Sequence, residues 1–357
     1  MNSAPPPASL PAGDPVSWFA DVGIADRPIV GGKGGSLGEL TRAGIAVPPG
    51  FVVTTHGFDL FLAGLEARAP IRSRVEALDP NDLDAANALA AELRARVESE
   101  PMPAEVEQAI MAAHAQLSPD GQPVAVRSSA TTEDAEDASF AGLQDTFLWV
   151  LNAADMVARV RECWGSLYSV ESMTYRLKQN FPEEGVAMAV VVQQMVDARC
   201  AGVMFTRSPL TGDKSVITIE GAWGLGSSVV SGEVTPDRWV LGKITGEIST
   251  RDISDKHARQ IPAPGGGIQE VENDSDLRSA PCLTDDQLMG LRAVGRQIER
   301  HYGKAQDIEW ALDQQGNILL LQSRPETVWS AKEVAAPVKA NEGNPLNHVM
   351  TIFGGRK

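Results

Sequence analysis

The run Val186 to Val196 (VAMAVVVQQMV) constrains the fold more than any other stretch. It is nearly unbroken in apolar residues and β-branched at its centre, so it reads as a strand inside a sheet whose two faces are both covered. Covering layers are legible upstream. From His56 to about Ala115, the segments FDLFLAGLEARA, NDLDAANALAAELRARVES and AEVEQAIMAAHAQL carry apolar residues at spacings of three and four, which predicts three helices in a row. From Pro123 the texture changes. PVAVRSS and TFLWVL read as short strands flanking a stretch rich in small, acidic and glycine residues, a mobile loop by composition. Asn152 caps a helix through MVARVRECWGSLYSVES, and AGVMFTRSP, KSVITIEGAWG and DRWVLGKI read as successive strands. Thr284 with Gln287 makes a capping box for a helix to about His301, and DIEWALDQQGNILLLQSRP is a strand, a turn and a strand. The fold class is therefore α+β.

With 357 residues, at one domain per ~150 residues the chain has room for about two units. The first fifteen residues, rich in Pro, Ala and Ser, read as a loose tail. There are 31 Lys and Arg against 47 Asp and Glu, a formal net charge of −16, which repels a phosphate backbone and argues against nucleic acid as a partner. The apolar stretch Val186 to Val192 is far below the ~20 residues needed to span a bilayer, and the start MNSAPPPASLPAGDP lacks a signal-peptide pattern. The expectation is a soluble cytoplasmic protein with no membrane partner. Cys163, Cys200 and Cys282 form no CxxC pair and read as reduced, inert thiols. The five histidines, at 56, 114, 257, 301 and 348, show no metal-ligand spacing.

Three stretches carry chemistry. Gly31-Gly32-Lys33-Gly34-Gly35 precedes a short helix capped near Ser36 and ended at Gly44, placing a lysine and bare backbone N–H groups at a positive helix end suited to phosphate. The run fits neither the P-loop nor a GxGxxG register. Gly34-Gly35-Ser36-Leu37-Gly38 does satisfy GxSxG, the nucleophile-elbow pattern of α/β-hydrolases, and a plain tight turn into a helix also accounts for it. The second stretch, Arg127 to Asp134 (RSSATTED), ends a strand at the mouth of the loop containing Gly142. An arginine there offers forked donors to phosphate oxygens, and such a loop can close over a triphosphate; an ordinary polar loop is the plain alternative. The third is the C-terminal hairpin. With a four-residue turn Gln314 to Asn317, Asp313 pairs with Ile318 and Glu309 falls opposite Gln322. Asp307, Glu309 and Ala311 then share a polar face with Gln322 and Arg324, while Ile308, Trp310, Leu312 and Leu321 point to the other side. A carboxylate and an amide oxygen side by side are hard ligands for Mg²⁺, although an exposed hairpin face with a rim ion pair reads the same way.

Together, GGKGGSLGEL, VPPGFVVTT, AVRSSATTED with SFAGLQDTF, VVVQQMV, AGVMFTRSPLTGD, AWGLGSSVVSGEVTPD and DIEWALD with LLLQSRPET resemble the ATP-binding module of the phosphoenolpyruvate synthase, pyruvate phosphate dikinase and rifampin phosphotransferase family. The resemblance covers roughly residues 16 to 330 and removes the hydrolase reading. It implies an ATP-grasp fold with an N-terminal subdomain over residues 16–195, a C-terminal one over 196–330 and a tail from 331 to 357, the two subdomains clamping ATP. It further implies that Lys33 and Arg127 hold the phosphates, that Gly142 and Thr146 lie in or beside the phosphate-covering loop, and that Gln193 meets the adenine with main-chain contacts around Met195 and Val196. Glu309 and Gln322 would bind Mg²⁺, and Arg324 would stabilise charge on the transferring group. The chain departs from the family at Ser227, where relatives usually carry Glu in GLGE. His56 follows Thr55 but opens a predicted helix within the ATP-binding module, and the other four histidines follow neither Ser nor Thr. The resemblance therefore implies a separate subunit carrying the family's phosphorylatable histidine, in its Ser-His or Thr-His sequence, and the acceptor site. A stand-alone module of this kind resembles the ATP-binding subunit of phenylphosphate synthase, which implies transfer of the β-phosphoryl group of ATP to the partner's histidine with release of AMP and phosphate. A nucleotide-binding regulatory subunit and a direct small-molecule kinase are the alternatives.

Overall fold

The computed structural model describes residues 13–131, 134–135, 138–139, 145–327 and 329. In chain order the first half contains β1 (Val16–Trp18), α1 (Arg27–Arg42), β2 (Gly50–Val53), α2 (Thr55–Arg68), α3 (Arg72–Glu76), α4 (Leu83–Ser99), α5 (Ala104–Leu117) and β3 (Val124–Ala130). The short pair β4 (Asp134–Ala135) and β5 (Ala138–Ser139) follows, then β6 (Thr146–Val150), α6 (Ala153–Gly165), α7 (Val170–Lys178) and β7 (Met188–Gln194). The second half runs β8 (Ala198–Phe205), β9 (Val216–Trp223), α8 (Ser227–Val230), β10 (Asp237–Gly242), β11 (Ile248–Asp252), β12 (Ala258–Pro262), β13 (Ile268–Glu272) and α9 (Ser275–Ser279). It closes with α10 (Asp285–Tyr302), β14 (Gln306–Asp313) and β15 (Ile318–Pro325). The expected tails, 1–15 and 331–357, lie outside the described residues except at 13–15. There Asp14 and Pro15 already belong to the fold, because Thr54 hydrogen-bonds both of their carbonyls.

Two antiparallel sheets organise the molecule. The first has the order β1-β2-β7-β3-β6 and the second β11-β10-β9-β8-β14-β15. The apolar run forms β7, inside the first sheet, with its first six residues buried. Its alternate side chains serve two layers. Val190 and Val192 join Phe51, Phe58, Phe61, Leu93 and Trp164 under the helices, while Ala189 and Val191 meet Val30 and Leu37 of α1 on the opposite face. In the second sheet Met204, Ile217, Ile219, Trp239, Trp310 and Leu312 pack on Leu288, Leu291 and Ile298 of α10. Burying each such side chain contributes about 1.5–3 kcal/mol. The capping box of α10 forms as predicted, and the helix stops at Gly303 in a left-handed conformation.

Several local expectations are corrected. The helix after Asn152 ends at Gly165, a 3₁₀ turn spans Ser166–Tyr168, and Ser169 caps the separate α7. A fourth short helix, α3, separates α2 from α4. Strands β11, β12 and β13 have no counterpart in the sequence reading. Ser36 caps nothing. Helix α1 runs from Arg27 to Arg42 with one break at Gly31, φ 71° and ψ 178°, and Ser36 sits inside it, donating its hydroxyl proton to the Ser323 carbonyl on β15. Glycines are tolerated there because the helix lies against other backbone: a Cβ on Gly38 would stand 2.5 Å from the Val22 carbonyl oxygen. Cys200 and Cys282, distant in sequence, both lie in the second core; all three cysteines are free and buried.

Candidate active site between the two sheets

The glycine run becomes a docking element. After Gly31 the backbone turns and the helix restarts, which puts Lys33, only 9% exposed, in the first turn of the new segment. Ser129 on β3 holds this start from below, accepting from Gly34 N–H at 3.1 Å and donating to the Val30 carbonyl at 2.9 Å. Two residues earlier on β3 stands Arg127. The same strand therefore fixes the glycine turn and aims the guanidinium.

Arg127 crosses to the second sheet. Its Nη1 donates to the Leu321 carbonyl at 3.0 Å, and its Nη2 donates to Glu309 Oε2 at 3.1 Å and to Gln322 Oε1 at 2.7 Å. Thr146 faces Arg127 on the neighbouring strand β6. Glu309 and Gln322 are cross-strand partners, as the sequence indicates, but by a different route. The hairpin loop has five residues, so Leu312 pairs with Ile318, and a bulge at Leu321 restores the offset. One consequence is a correction: Leu320 packs in the core with Trp310, while Leu321 lies on the opposite side with Ala311.

Register extends the polar face across the sheet. Gln322, Glu309, Val203, Glu220 and Arg238 stand in one row over five strands, and the next row holds Arg324, Asp307, Phe205 and Thr218. Arg324 Nε is 3.6 Å from Asp307 Oδ2. Burial pushes the Asp307 carboxyl up to about 6, with Arg324 pulling the other way. Its Oδ1 is buried without a hydrogen-bond partner among the described residues. Asp307 is the site residue to which the sequence reading gave no role, although its alternation with Glu309 put it on the right face. Burial also raises Glu220, opposed by Arg238.

The remaining expected residues lie further along the seam. Gln193, nearly fully buried, pairs with Gly50 and Ala125 and donates its side-chain amide to the Pro48 carbonyl. The Met195 N–H already donates to the Pro123 carbonyl, so a nucleobase would have to meet this connection at other main-chain atoms. Val196 is buried in an apolar cluster with Ala198, Ala201, Leu225 and Ala311. Gly142 and residues 140–144 around it lie outside the described residues. Ser227 hydrogen-bonds Gln260, whose amide donates to Glu233 at 3.0 Å.

In physical terms a carboxylate oxygen and an amide oxygen converge on one cationic nitrogen. That donor set suits a hard divalent cation as well as a guanidinium. Among the described residues no group of three or more His, Cys, Asp or Glu side chains could hold a metal ion. Among the described residues no helix is long and apolar enough to cross a membrane.

Residues 27–344 match the family described as "Pyruvate phosphate dikinase, AMP/ATP-binding domain". The chain belongs to that family, and its architecture is α+β, with two antiparallel sheets meeting over a polar seam. It is 43% identical over 308 residues to a rifampicin phosphotransferase of a Streptomyces species, covering 86% of this chain and 35% of that one. It is 38% identical over 382 aligned positions to a phosphoenolpyruvate synthase of Pyrococcus furiosus, covering 95% of this chain and 46% of that one. The chain thus spans less than half the length of these relatives. Among solved structures, D-alanyl-alanine synthetase A of Vibrio cholerae aligns over 62% of this chain and 47% of its own, with 14% identity and a TM-score of 0.28.

Proposed function

We propose that the chain is the ATP-binding subunit of a split dikinase-type phosphotransferase. In this reading it binds Mg-ATP in the seam and transfers the β-phosphoryl group to a histidine carried on a separate subunit. The balance is ATP, histidine and water giving AMP, phosphate and phosphohistidine. The partner then phosphorylates phenol or a similar small acceptor.

One observation carries the reading: Glu309 Oε2 and Gln322 Oε1 are both within hydrogen-bond distance of Arg127 Nη2, an anion, a polar oxygen and a cation from two sheets at one point. Glu309 and Gln322 would hold Mg²⁺, which when bound supplies charge neutralisation on the phosphates. Lys33, Arg127 and Arg324 oppose the remaining phosphate charge. The catalytic contribution of this chain is positioning and electrostatics, without a nucleophile of its own. The described histidines support an external phosphoryl carrier: His56 lies in the first turn of α2, His114 inside α5, His257 before β12, and His301 at the end of α10, where it bonds Glu39.

The test is ATP turnover by the chain alone and together with a candidate subunit carrying the phosphorylatable histidine. AMP formation only in the mixture supports the proposal. Robust phosphorylation of phenol by this chain alone would refute the split, and tight ATP binding without turnover in either condition would favour a regulatory subunit.

A further inference from the structure

Trp149 and Asn180 are the two non-glycine residues with positive φ among the described residues, at 58° and 55°. Asn tolerates that region; a bulky aromatic residue does so only when its surroundings enforce it. Here the enforcement is visible. Val126 pairs with Phe147 and Val124 with Val150, so Leu148 and Trp149 together oppose the single residue Ala125 in a bulge. Phe147 and Val150 both face the helical core, and the left-handed turn sends the indole of Trp149 the opposite way. The Trp149 carbonyl accepts the Gly267 N–H at 3.0 Å, at the tip of the β12–β13 hairpin, a two-stranded sheet of its own. Leu151 lies against Gly266 of the same tip.

The indole lands on an apolar patch beside the polar face, with Val196, Leu225, Ala311, Leu319 and Leu321. Ala311 is two residues along β14 from Glu309, about 7 Å by strand geometry. The Glu309 and Gln322 oxygens and the Arg127 guanidinium stand at one end of this line, and the aromatic side chain and the Met195–Val196 connection at the other.

We propose that Trp149 is a nucleobase-stacking residue that sets the affinity of the clamp for the base of ATP, held in position by the β12–β13 hairpin. The proposal rests on the reading of the seam as the ATP site. A triphosphate with its base needs a charged end and a flat apolar end, and the strained backbone at Trp149 is spent on supplying the second.

The test measures equilibrium binding of Mg-ATP and of Mg-tripolyphosphate, which has no base, to the full chain carrying Trp149→Ala or Trp149→Phe. Stacking lost to alanine should weaken ATP about tenfold or more, leave tripolyphosphate unchanged, and be largely rescued by phenylalanine. ATP should quench tryptophan fluorescence in the wild type and lose that component in Trp149→Phe. Unchanged ATP affinity in Trp149→Ala, or equal weakening of both ligands, would overturn the proposal. If the wild-type chain bound neither ligand, the ATP reading itself would fail and the proposal with it.

Discussion

Replacing Arg127 by alanine removes a three-bond link between the two sheets. The bonds to the Leu321 carbonyl and to Gln322 contribute about 1 kcal/mol each, and the one to Glu309 about 1.5, taken from the low end because Glu309 is partly exposed. The expected loss is therefore roughly 3.5 kcal/mol. It falls in the lower part of the roughly 3–5 kcal/mol typical of an orphaned, fully buried charge, because the freed Glu309 carboxylate can be rehydrated. Urea unfolding followed by circular dichroism measures the change as a lower midpoint at nearly constant slope. Arg127→Lys keeps the charge but loses the fork, so it should recover only part of the loss. A double-mutant cycle with Glu309→Ala should show a coupling of about 1 kcal/mol. A change of less than about 0.5 kcal/mol in Arg127→Ala, the range of an ordinary surface substitution, would refute the claim that this arginine ties the sheets together.

Other consequences follow from particular contacts. Gly31→Ala would place a Cβ 2.0 Å from the Ser129 carbonyl oxygen at φ 71°, so it should destabilise by more than ~3 kcal/mol or prevent soluble expression, seen in yield and thermal melts. Lys256→Ala leaves Asp237 fully buried without its cation, and should cost about 3–5 kcal/mol in chemical denaturation. Burial lowers the pKa of His114 below its usual 6.5, so the unfolded chain takes up the proton first as the pH falls. That component of stability is full above pH 6.5 and is lost on acidification through the folded value; His114→Gln should lose less stability than wild type between neutral and acid pH.

How much of this was legible in sequence differs by element. The β7 strand, the helices α2, α4 and α5 and the capping box of α10 were, because burial and caps leave periodic and local marks. The Glu309–Gln322 pairing was also legible, but only because two misreadings cancelled. Asp313 accepts the N–H groups of Gln315 and Asn317 and so widens the loop to five residues, and the bulge at Leu321, which no residue announces, compensates. Helix α1 was misread since its five glycines argue against a helix, and only close approach, of Gly38 to Val22 and of Gly31 to Ser129, makes such residues useful. The role of Asp307 depends on burial, which alternation alone does not state. Trp149 was hidden in an ordinary strand pattern, because its left-handed backbone arises from contact with a hairpin 117 residues later in the chain, at Gly266 and Gly267.

The central claim is that the oxygens of Glu309 and Gln322, gathered at Arg127, form the cation and phosphate site of an ATP clamp. Calorimetric titration of ATP into the wild-type chain and into Glu309→Ala, each with and without Mg²⁺, tests it most directly. The account predicts that Mg²⁺ strengthens ATP binding by at least tenfold in the wild type, about 1.4 kcal/mol, and that this gain disappears in Glu309→Ala while its circular dichroism spectrum is unchanged. An equal Mg²⁺ gain in both proteins would contradict it.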